Sequence, residues 1–266
     1  MHDESVLVRA LMIGDVVGEA GLEALERLLP GLIREQGADF VAVNGENAAD
    51  GFGMTEAVLG RILAAGADTV TSGNHVWEKR EFWPILEQEP RILRPANYPE
   101  GCPGQGWVTA EKAGVLWAVV NLQGRELLPP IDCPFKTFDR IASAWPSNMQ
   151  NPLVLVDFHA ESTREKESLG YYLDGRAALV AGTHTHVLTA DERILPQGTG
   201  YITDLGMTGV PDGIIGMDTK ICLDRARTQV LYRMVCAQGA GSLRGIAATI
   251  NRETKKTVSI TRIDLR

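Results

Sequence analysis

The chain has 266 residues, of which 44% are hydrophobic and 23% charged, so it can bury a sizeable core without disulfide staples. Its 34 acidic and 26 basic side chains give a net charge of −8, which argues against a protein held to nucleic acid by a basic face. Its four cysteines lie far apart with no Cys-x-x-Cys pair, which excludes a disulfide framework and a thiolate zinc site.

The first third of the chain alternates apolar, strand-length runs with amphipathic helices. A strand is predicted over residues 6–13, and the leucines that follow recur at spacings of three and four, which is typical of a helix. Pro30 is expected to kink or split this helix, because proline removes a backbone hydrogen bond. A strand over residues 40–43 precedes a second helix over residues 56–65, with Thr55 as its N-cap.

Further apolar runs continue this pattern, and the last part of the chain changes it. The continuing runs cover residues 68–72, 114–120, 153–158 and 177–181. Apolar strands that alternate with helices are typical of a parallel sheet covered on both faces. Polar alternation then predicts antiparallel strands over residues 229–235, 245–250 and 257–263. We expect a single α/β domain over residues 1–266, arranged as a two-sheet sandwich with helices outside.

Membrane and export segments are not expected. The sequence contains no run of eighteen uncharged apolar residues that would span a bilayer. Its first residues include Asp3 and Glu4 and lack the basic-then-apolar build of a secretory signal peptide. The expectation is a cytoplasmic protein.

Metal-ligand types of side chain follow five predicted strands, at the point where each strand ends. They are Asp15, then Glu46 and Asn47, then Asn74 with His75, then His159, and finally His184 and His186. Four of the five histidines of the chain occupy these places, which is hard to attribute to chance. Since ligands of open α/β sheets bind beyond the carboxyl ends of the strands, we expect these side chains at one edge.

The chemistry of this set indicates two metal ions. Imidazoles with carboxylate and amide oxygens, and no thiolate, suit Fe, Mn, Zn or Co better than Mg or Ca. Seven candidate ligands exceed the needs of one zinc ion and suit a pair of ions with a bridging carboxylate, which can clamp both oxygens of a phosphoryl displacement. If they lay in a strand, His184 and His186 would point to the same face.

Two further residues are candidates for the chemistry of the reaction. His75 is not needed for coordination and is predicted to protonate the leaving group, the alternative being that it only orients a ligand. Arg125 is a candidate phosphate contact, with a surface salt bridge as the alternative. The glycines around Phe52 predict a loop that approaches substrate, or a simple turn.

These residues resemble the calcineurin-like metallophosphoesterases and, more narrowly, the YmdB-like metallophosphoesterases of bacteria. The resemblance is carried by residues 13–18 (IGDVVG), 44–55 (NGENAADGFGMT), 73–77 (GNHVW), 156–161 (VDFHAE), 182–191 (GTHTHVLTAD) and 200–209 (GYITDLGMTG). In that family Glu replaces the more usual bridging Asp, as Glu46 does here. The chain departs from the family at Leu22, where an arginine is common, and it matches weakly from about residue 210 to 240.

The resemblance implies the calcineurin-like metallophosphoesterase fold and a di-iron site in which manganese can substitute. It also implies hydrolysis of nucleoside 2′,3′-cyclic monophosphates by a metal-bridging hydroxide. By position, Asp15 and His186 would hold the first metal, Glu46 would bridge, Asn47, Asn74, His159 and His184 would hold the second, and His75 would donate the proton.

Two alternative functions remain open at this point. The first is a metal-dependent phosphomonoesterase or 5′-nucleotidase with the same metals, which only a comparison of substrates separates from a phosphodiesterase. The second is a regulator that binds a cyclic nucleotide or RNA without turnover. The intact ligand set argues against the second, and the acidic charge argues against strong nucleic-acid binding. The expected partner is a small phosphodiester, and a homo-oligomer is compatible with the sequence.

Overall fold

The strands of the protein were assigned in a computed structural model that describes residues 6–145 and 152–266, so Asp3 and Glu4 lie outside the described residues. In chain order they are β1 (Leu7–Ile13), β2 (Asp15–Val16), β3 (Phe40–Asn44), β4 (Thr69–Thr71), β5 (Trp107–Lys112), β6 (Val115–Gln123), β7 (Leu153–His159), β8 (Leu179–Thr183), β9 (Arg193–Ile194), β10 (Gly200–Ile202), β11 (Met207–Thr208), β12 (Leu243–Asn251) and β13 (Thr257–Leu265).

The helices lie between these strands. They are α1 (Gly18–Gln36), α2 (Glu56–Ala64), α3 (Trp83–Gln88), α4 (Pro134–Ala144), α5 (Thr163–Tyr172) and α6 (Thr219–Thr228), with a short 3-10 helix at Arg80–Phe82. Within the described ranges, no helix combines the length and the apolar character that crossing a bilayer requires.

Two sheets carry most of the strands. The first has the order β13-β12-β1-β3-β4 and the second the order β5-β6-β7-β8-β10-β9, while β11 and β2 form a small pair of their own. Strands β1, β3 and β4 are parallel, and so are β6, β7, β8 and β10. The antiparallel strands lie outside these parallel centres. The parallel strands therefore present their carboxyl ends together.

Three layers of apolar side chains hold the sheets and helices together. Between the sheets, Phe40 of β3 stacks on Trp117 of β6 with ring centroids 5.0 Å apart, and both side chains are fully buried. The outer face of the first sheet packs on α1 and α2 around Leu25, and that of the second packs on α4 and α5 around Phe138. The predicted two-sheet sandwich flanked by helices is confirmed.

Most of the predicted elements are present with bounds shifted by a few residues. Thr55 caps α2 as predicted, since its hydroxyl accepts a hydrogen bond from the Val58 N–H at 3.3 Å. Pro30 does not split α1, which continues to Gln36. The buried face of that helix, with Leu25 and Leu32 on either side of the proline, gains enough from packing to offset the lost hydrogen bond.

The strand predicted over residues 229–235 is wrong. Asp218 caps α6, Gln229 ends that helix in a left-handed conformation, and the following residues form neither helix nor strand. The alternation that suggested a strand is still visible, because Met234 and Cys236 pack on Met217 while the residues between and before them are exposed. Met234 and Cys236 pack against other side chains from a loop and are not part of a sheet. An alternating pattern of burial alone does not distinguish such a loop from a strand.

Candidate metal centre

The structure brings all seven predicted ligands into one cluster. Asp15 stands in β2, just beyond the end of β1, and Glu46 and Asn47 lie beyond the end of β3. The remaining four are Asn74 after β4, His159 as the last residue of β7, and His184 and His186 after β8. Five of the seven are buried, while Asn74 and His184 are partly exposed, and His184 lines a cavity.

Glu46 lies in the middle of the cluster and contacts both halves of it. Its Oε1 is 3.1 Å from Nε2 of His159 and 3.2 Å from the amide nitrogen of Asn47. Its Oε2 accepts a hydrogen bond from the backbone N–H of His75 at 3.1 Å. This is the position that a bridging carboxylate would take.

One half of the cluster gathers around His186. Its Nε2 is 3.4 Å from Oδ2 of Asp15 and 3.0 Å from the side-chain amide of Asn47. The same Asp15 oxygen accepts a hydrogen bond from the backbone N–H of His184 at 3.0 Å. The resemblance grouped Asn47 with the other half of the site, but in the structure its side chain contacts His186 and Glu46.

The other half of the cluster gathers around His159. Its Nε2 is 3.0 Å from Oδ1 of Asn74 and 3.0 Å from Nδ1 of His184. A ligand atom each from Glu46, His159 and His184 lies within 4.8 Å of the others. A single ring nitrogen of His159 thus faces a carboxylate, an amide oxygen and a second imidazole nitrogen.

The three histidines are each held by the nitrogen that points away from the centre. His159 Nδ1 is 2.9 Å from the Thr183 hydroxyl, which itself donates to Asp157 and so accepts from the ring. His186 Nδ1 donates to the Ile215 carbonyl at 2.8 Å, and His184 Nε2 is 3.2 Å from a carboxylate oxygen of Glu161. Such outer contacts fix the tautomer of metal-binding histidines and aim the free nitrogen at the metal.

The residues present fit metal ions on two further observations. Oδ1 of Asp15 and Oδ1 of Asn47 are buried without a hydrogen-bond partner among the described residues, and each is a good ligand for a cation. A Cβ at Gly73 would overlap Glu46 Oε2 and His159 Nε2, so the glycine keeps open the space between these atoms.

The electrostatics of the cluster also favour a cation. Burial raises the pKa of Asp15 well above its ordinary value. Burial opposes ionisation of Glu46 too, but His159 outweighs it and lowers the pKa of Glu46 to about 2. In turn, burial lowers and Glu46 raises the pKa of His159, to about 9. With side chains alone, a proton on His159 balances the buried carboxylate, and a metal ion would take over that role.

The segment from His184 to His186 is a loop, and the premise that the two histidines share a strand face is wrong. Their φ angles are 103° and 66°, in the region that favours glycine, so the loop carries backbone strain. The backbone N–H of Thr185 donates to Asp204 at 3.1 Å, and Lys166 forms a buried ion pair with Asp204 at 2.7 Å. These contacts with Asp204 stabilise the strained loop.

His75 lies at the edge of the cavity with about a quarter of its side chain exposed. Its Nδ1 is 3.3 Å from Oε1 of Glu78, and its ring meets that of Phe52 edge-on with centroids 5.0 Å apart. The ring of His75 contacts Glu78 and Phe52, and neither is one of the seven clustered ligands. Its position is compatible with contact to a molecule in the cavity.

The cavity beside the cluster has a volume of about 750 Å³. Apolar side chains and Arg225 form the rest of the lining, and sequence reasoning missed this part because α6 lies where the resemblance is weakest. Arg125 is exposed, is not part of the cavity lining, and uses its backbone N–H to bind Glu165. The structure therefore does not support Arg125 as a phosphate contact.

Comparisons with known proteins show which proteins the chain resembles. A family model described as YmdB-like protein matches residues 11–263. The chain is 46% identical over 256 residues, 96% of both chains, to a Bacillus subtilis protein named 2′,3′-cyclic-nucleotide 2′-phosphodiesterase.

Two solved structures resemble the whole chain. A hypothetical protein from Thermus thermophilus is 40% identical with a TM-score of 0.88, covering 97% of this chain and 100% of that one. A structure described as a novel phosphatase from Mycoplasma pneumoniae is 29% identical with a TM-score of 0.91, covering 97% of this chain and 93% of that one. The metallophosphoesterase type of fold expected for this chain is confirmed.

Proposed function

This chain belongs to the YmdB-like protein family and is a hydrolase of phosphoric ester bonds, and we propose that it hydrolyses nucleoside 2′,3′-cyclic monophosphates with two metal ions. The observation that carries the proposal is the buried cluster of seven ligand-type side chains with Glu46 at its middle. The substrate class is supported by the name of the Bacillus subtilis relative and by the extent of the match, which covers 96% of both chains.

The proposed ligands divide into two sets that share one carboxylate. Asp15, Asn47 and His186 would hold one metal ion, Asn74, His159 and His184 the other, and Glu46 would contact both. Bound iron or manganese would supply positive charge against the phosphoryl oxygens and lower the pKa of a water molecule. The chain itself orients the ligands, because His159 and His186 are each fixed by a second hydrogen bond and His184 Nε2 lies 3.2 Å from Glu161.

His75 is the proposed proton donor to the departing ribose oxygen. Its backbone N–H binds Glu46, which places its side chain next to the ligand cluster without including the ring in it. Glu78 contacts Nδ1 and thereby orients the ring, so that Nε2 is the nitrogen left for a substrate. General-acid assistance of this kind contributes roughly 10²–10⁴-fold to a rate.

The function is tested by assaying chelated protein before and after addition of Fe²⁺ or Mn²⁺. The substrates are 2′,3′-cyclic AMP and, in parallel, the monoesters 2′-AMP, 3′-AMP and 5′-AMP. We expect metal-dependent turnover of the cyclic diester with little on the monoesters. Turnover confined to the monoesters would instead support a phosphomonoesterase, and binding of cyclic nucleotide without turnover would support a regulator.

The role of His75 is tested separately with His75→Ala. Metal content should stay at the level of the unmodified protein, while kcat for 2′,3′-cyclic AMP should fall roughly 10²–10⁴-fold. A leaving group with a low pKa, such as p-nitrophenolate, departs without a proton. With a diester that carries this leaving group, the fall in kcat of the variant should therefore be much smaller. Loss of metal from the variant would contradict the proton-donor role.

A further inference from the structure

The part of the cavity lining that holds no metal ligand points to a recognition surface for the nucleobase. We propose that Phe52, Arg225 and Met234, which we call the base wall, contact the base of the substrate and set the preference for nucleoside cyclic phosphates over other cyclic phosphates. This inference rests on the proposed function, because it assigns the part of the substrate that does not react.

The cavity is larger than a phosphate group requires, and part of its lining is apolar. A volume of about 750 Å³ is in the range of pockets that hold drug-sized ligands. The metal-ligand side chains in the lining are polar, but the lining also includes the apolar side chains of Phe52, Ile215, Met217, Ala226 and Met234. A substrate with a charged end and a flat apolar end would match both walls.

Phe52 is displayed at the cavity by an unusual loop. Asp50, Gly51 and Gly53 have φ angles of 59°, 88° and 77°, which turn the chain sharply on both sides of the ring. A Cβ at Gly51 would come within 2.8 Å of the Cys236 sulfur, so the loop packs closely on the segment after α6. The ring is partly exposed and meets His75 edge-on, close to the proposed proton donor.

Helix α6 contributes to the cavity lining but not to the hydrophobic core. None of the residues of α6 is buried, although Cys222 and Arg225 on this helix line the cavity. Met234 packs with Phe52 around the buried Met217 and is itself partly exposed. Flexible thioethers next to an aromatic ring form an adaptable apolar surface, which suits bases of different size.

Arg225 brings a planar cation to the same wall. Its guanidinium donates to the Tyr232 carbonyl at 3.2 Å, and within the described residues it forms no ion pair with a carboxylate. Guanidinium planes and aromatic rings are the side chains on which proteins stack unpaired bases. We infer that Arg225 and Phe52 stack on the base while the phosphate lies at the metal centre.

The test compares two substrates that share the five-membered cyclic phosphate. 2′,3′-Cyclic AMP carries a base, and glycerol 1,2-cyclic phosphate does not. The unmodified enzyme should prefer the nucleotide, and Phe52→Ala or Arg225→Ala should each lower the ratio of the two kcat/KM values about tenfold, through KM for the nucleotide. Arg225→Lys should behave like Arg225→Ala, because lysine keeps the charge but lacks the plane.

Several outcomes would overturn the base wall. One is an unmodified enzyme that turns over both cyclic phosphates equally well, which would leave the proposed phosphodiesterase function intact. Equal losses on both substrates would point to a phosphate contact or to misfolding, and full rescue by Arg225→Lys would show that the plane of the guanidinium is not used. Leu231→Ala serves as the control, since Leu231 is exposed on the same segment and does not line the cavity.

A binding measurement separates failure of the base wall from failure of the proposed function. Turnover of neither cyclic phosphate by metal-loaded enzyme would contradict the function. Binding of adenosine, followed by calorimetry on metal-free protein, does not depend on turnover. Phe52→Ala should weaken that binding about tenfold, and unchanged binding would overturn the base wall whatever the enzyme assays show.

Discussion

The two walls of the cavity differ in how the fold holds them. The metal-centre wall is built at the carboxyl ends of parallel strands, and Asp15, Glu46 and His159 in it are fully or almost fully buried. The base wall takes Arg225 from α6, which has no buried residue, and Met234 from the segment over residues 229–235, which has no regular structure. The first wall is part of the core, whereas much of the second lies on its surface.

This difference teaches where the molecule needs precision. Groups that hold metal ions must keep their geometry within fractions of an ångström, and strands packed on both faces provide that. A surface that recognises a flat apolar base tolerates small movements, so it can lie on a partly exposed rim. Substitutions in the two walls should therefore have different consequences, and the following predictions test this contrast.

The largest effect is expected from Glu46→Gln, which keeps the shape of the side chain but removes its charge. Both proposed metal sites should lose affinity, and activity should fall about 10³-fold, because the carboxylate proposed to be shared would neutralise part of the charge of both ions. Metal content and kcat measured on the same samples check this. A variant that keeps two metal ions and full activity would contradict the assignment of Glu46 as the bridging ligand.

Lys166→Met should destabilise the loop that supports the metal centre, although Lys166 is not one of the proposed ligands. Breaking the buried pair leaves Asp204 without its cation, which should cost about 3 kcal/mol of stability and lower metal affinity through the His184–His186 loop. Urea unfolding and metal titration measure both effects.

The matched control for that substitution is Lys220→Met. Lys220 also pairs with an aspartate, but its side chain is 83% exposed, so the free energy of unfolding of this variant should stay close to that of the unmodified protein. Equal losses in the two variants would show that burial of the Lys166 pair has no consequence.

Gly73→Ala adds one methyl group between Glu46 and His159, where there is no room for it. Metal affinity should fall about 10- to 100-fold, as when the surroundings of metal ligands are disturbed. Gly31→Ala makes the same chemical change in α1, where nothing lies within 4 Å, and should instead raise stability by about 0.5–1 kcal/mol. Calorimetric metal titration of both variants distinguishes a local from a general effect.

The stability of chelated protein should depend on pH through the same cluster. Burial lowers and Glu46 raises the pKa of His159, to about 9 in the fold against 6.5 for an unperturbed histidine. Because the folded pKa is raised, the stability contributed by the ring is complete below pH 6.5 and is lost as the pH rises through 9. Thermal unfolding between pH 6.5 and 9 should show a falling Tm without metal and no such fall with metal bound.

The smallest effect is expected at the exposed rim over residues 229–235, beside the base wall. Leu231 is 85% exposed, so Leu231→Ser should change the free energy of unfolding by no more than about 0.5 kcal/mol. Denaturant unfolding is sufficient to measure this. A loss of several kcal/mol would mean that the rim is part of the core, and the contrast between the walls would fail.

Local sequence patterns were enough for much of the metal-centre wall. Asp15, Glu46, Asn74 and His159 each follow a run of apolar residues, and parallel strands bring such positions to one edge. The same reasoning misjudged the histidines after β8, because a spacing of two residues says nothing about whether the backbone is extended there. Strained φ angles at His184 and His186 depend on contacts with Asp204 and Ile215, which are distant in the chain.

By itself, the sequence determined which side chains end each strand, the alternation of strands and helices, and the membership of the chain in its family. Hydrophobic periodicity indicates the strands and helices because it acts over a few neighbouring residues, and the family is recognised by its short motifs. Only the tertiary structure decided that Asn47 contacts His186, that Arg225 rather than Arg125 lines the cavity, and that residues 229–235 form a rim. Those outcomes depend on which surfaces meet when the two sheets pack, and that choice is made by contacts between residues far apart in the chain.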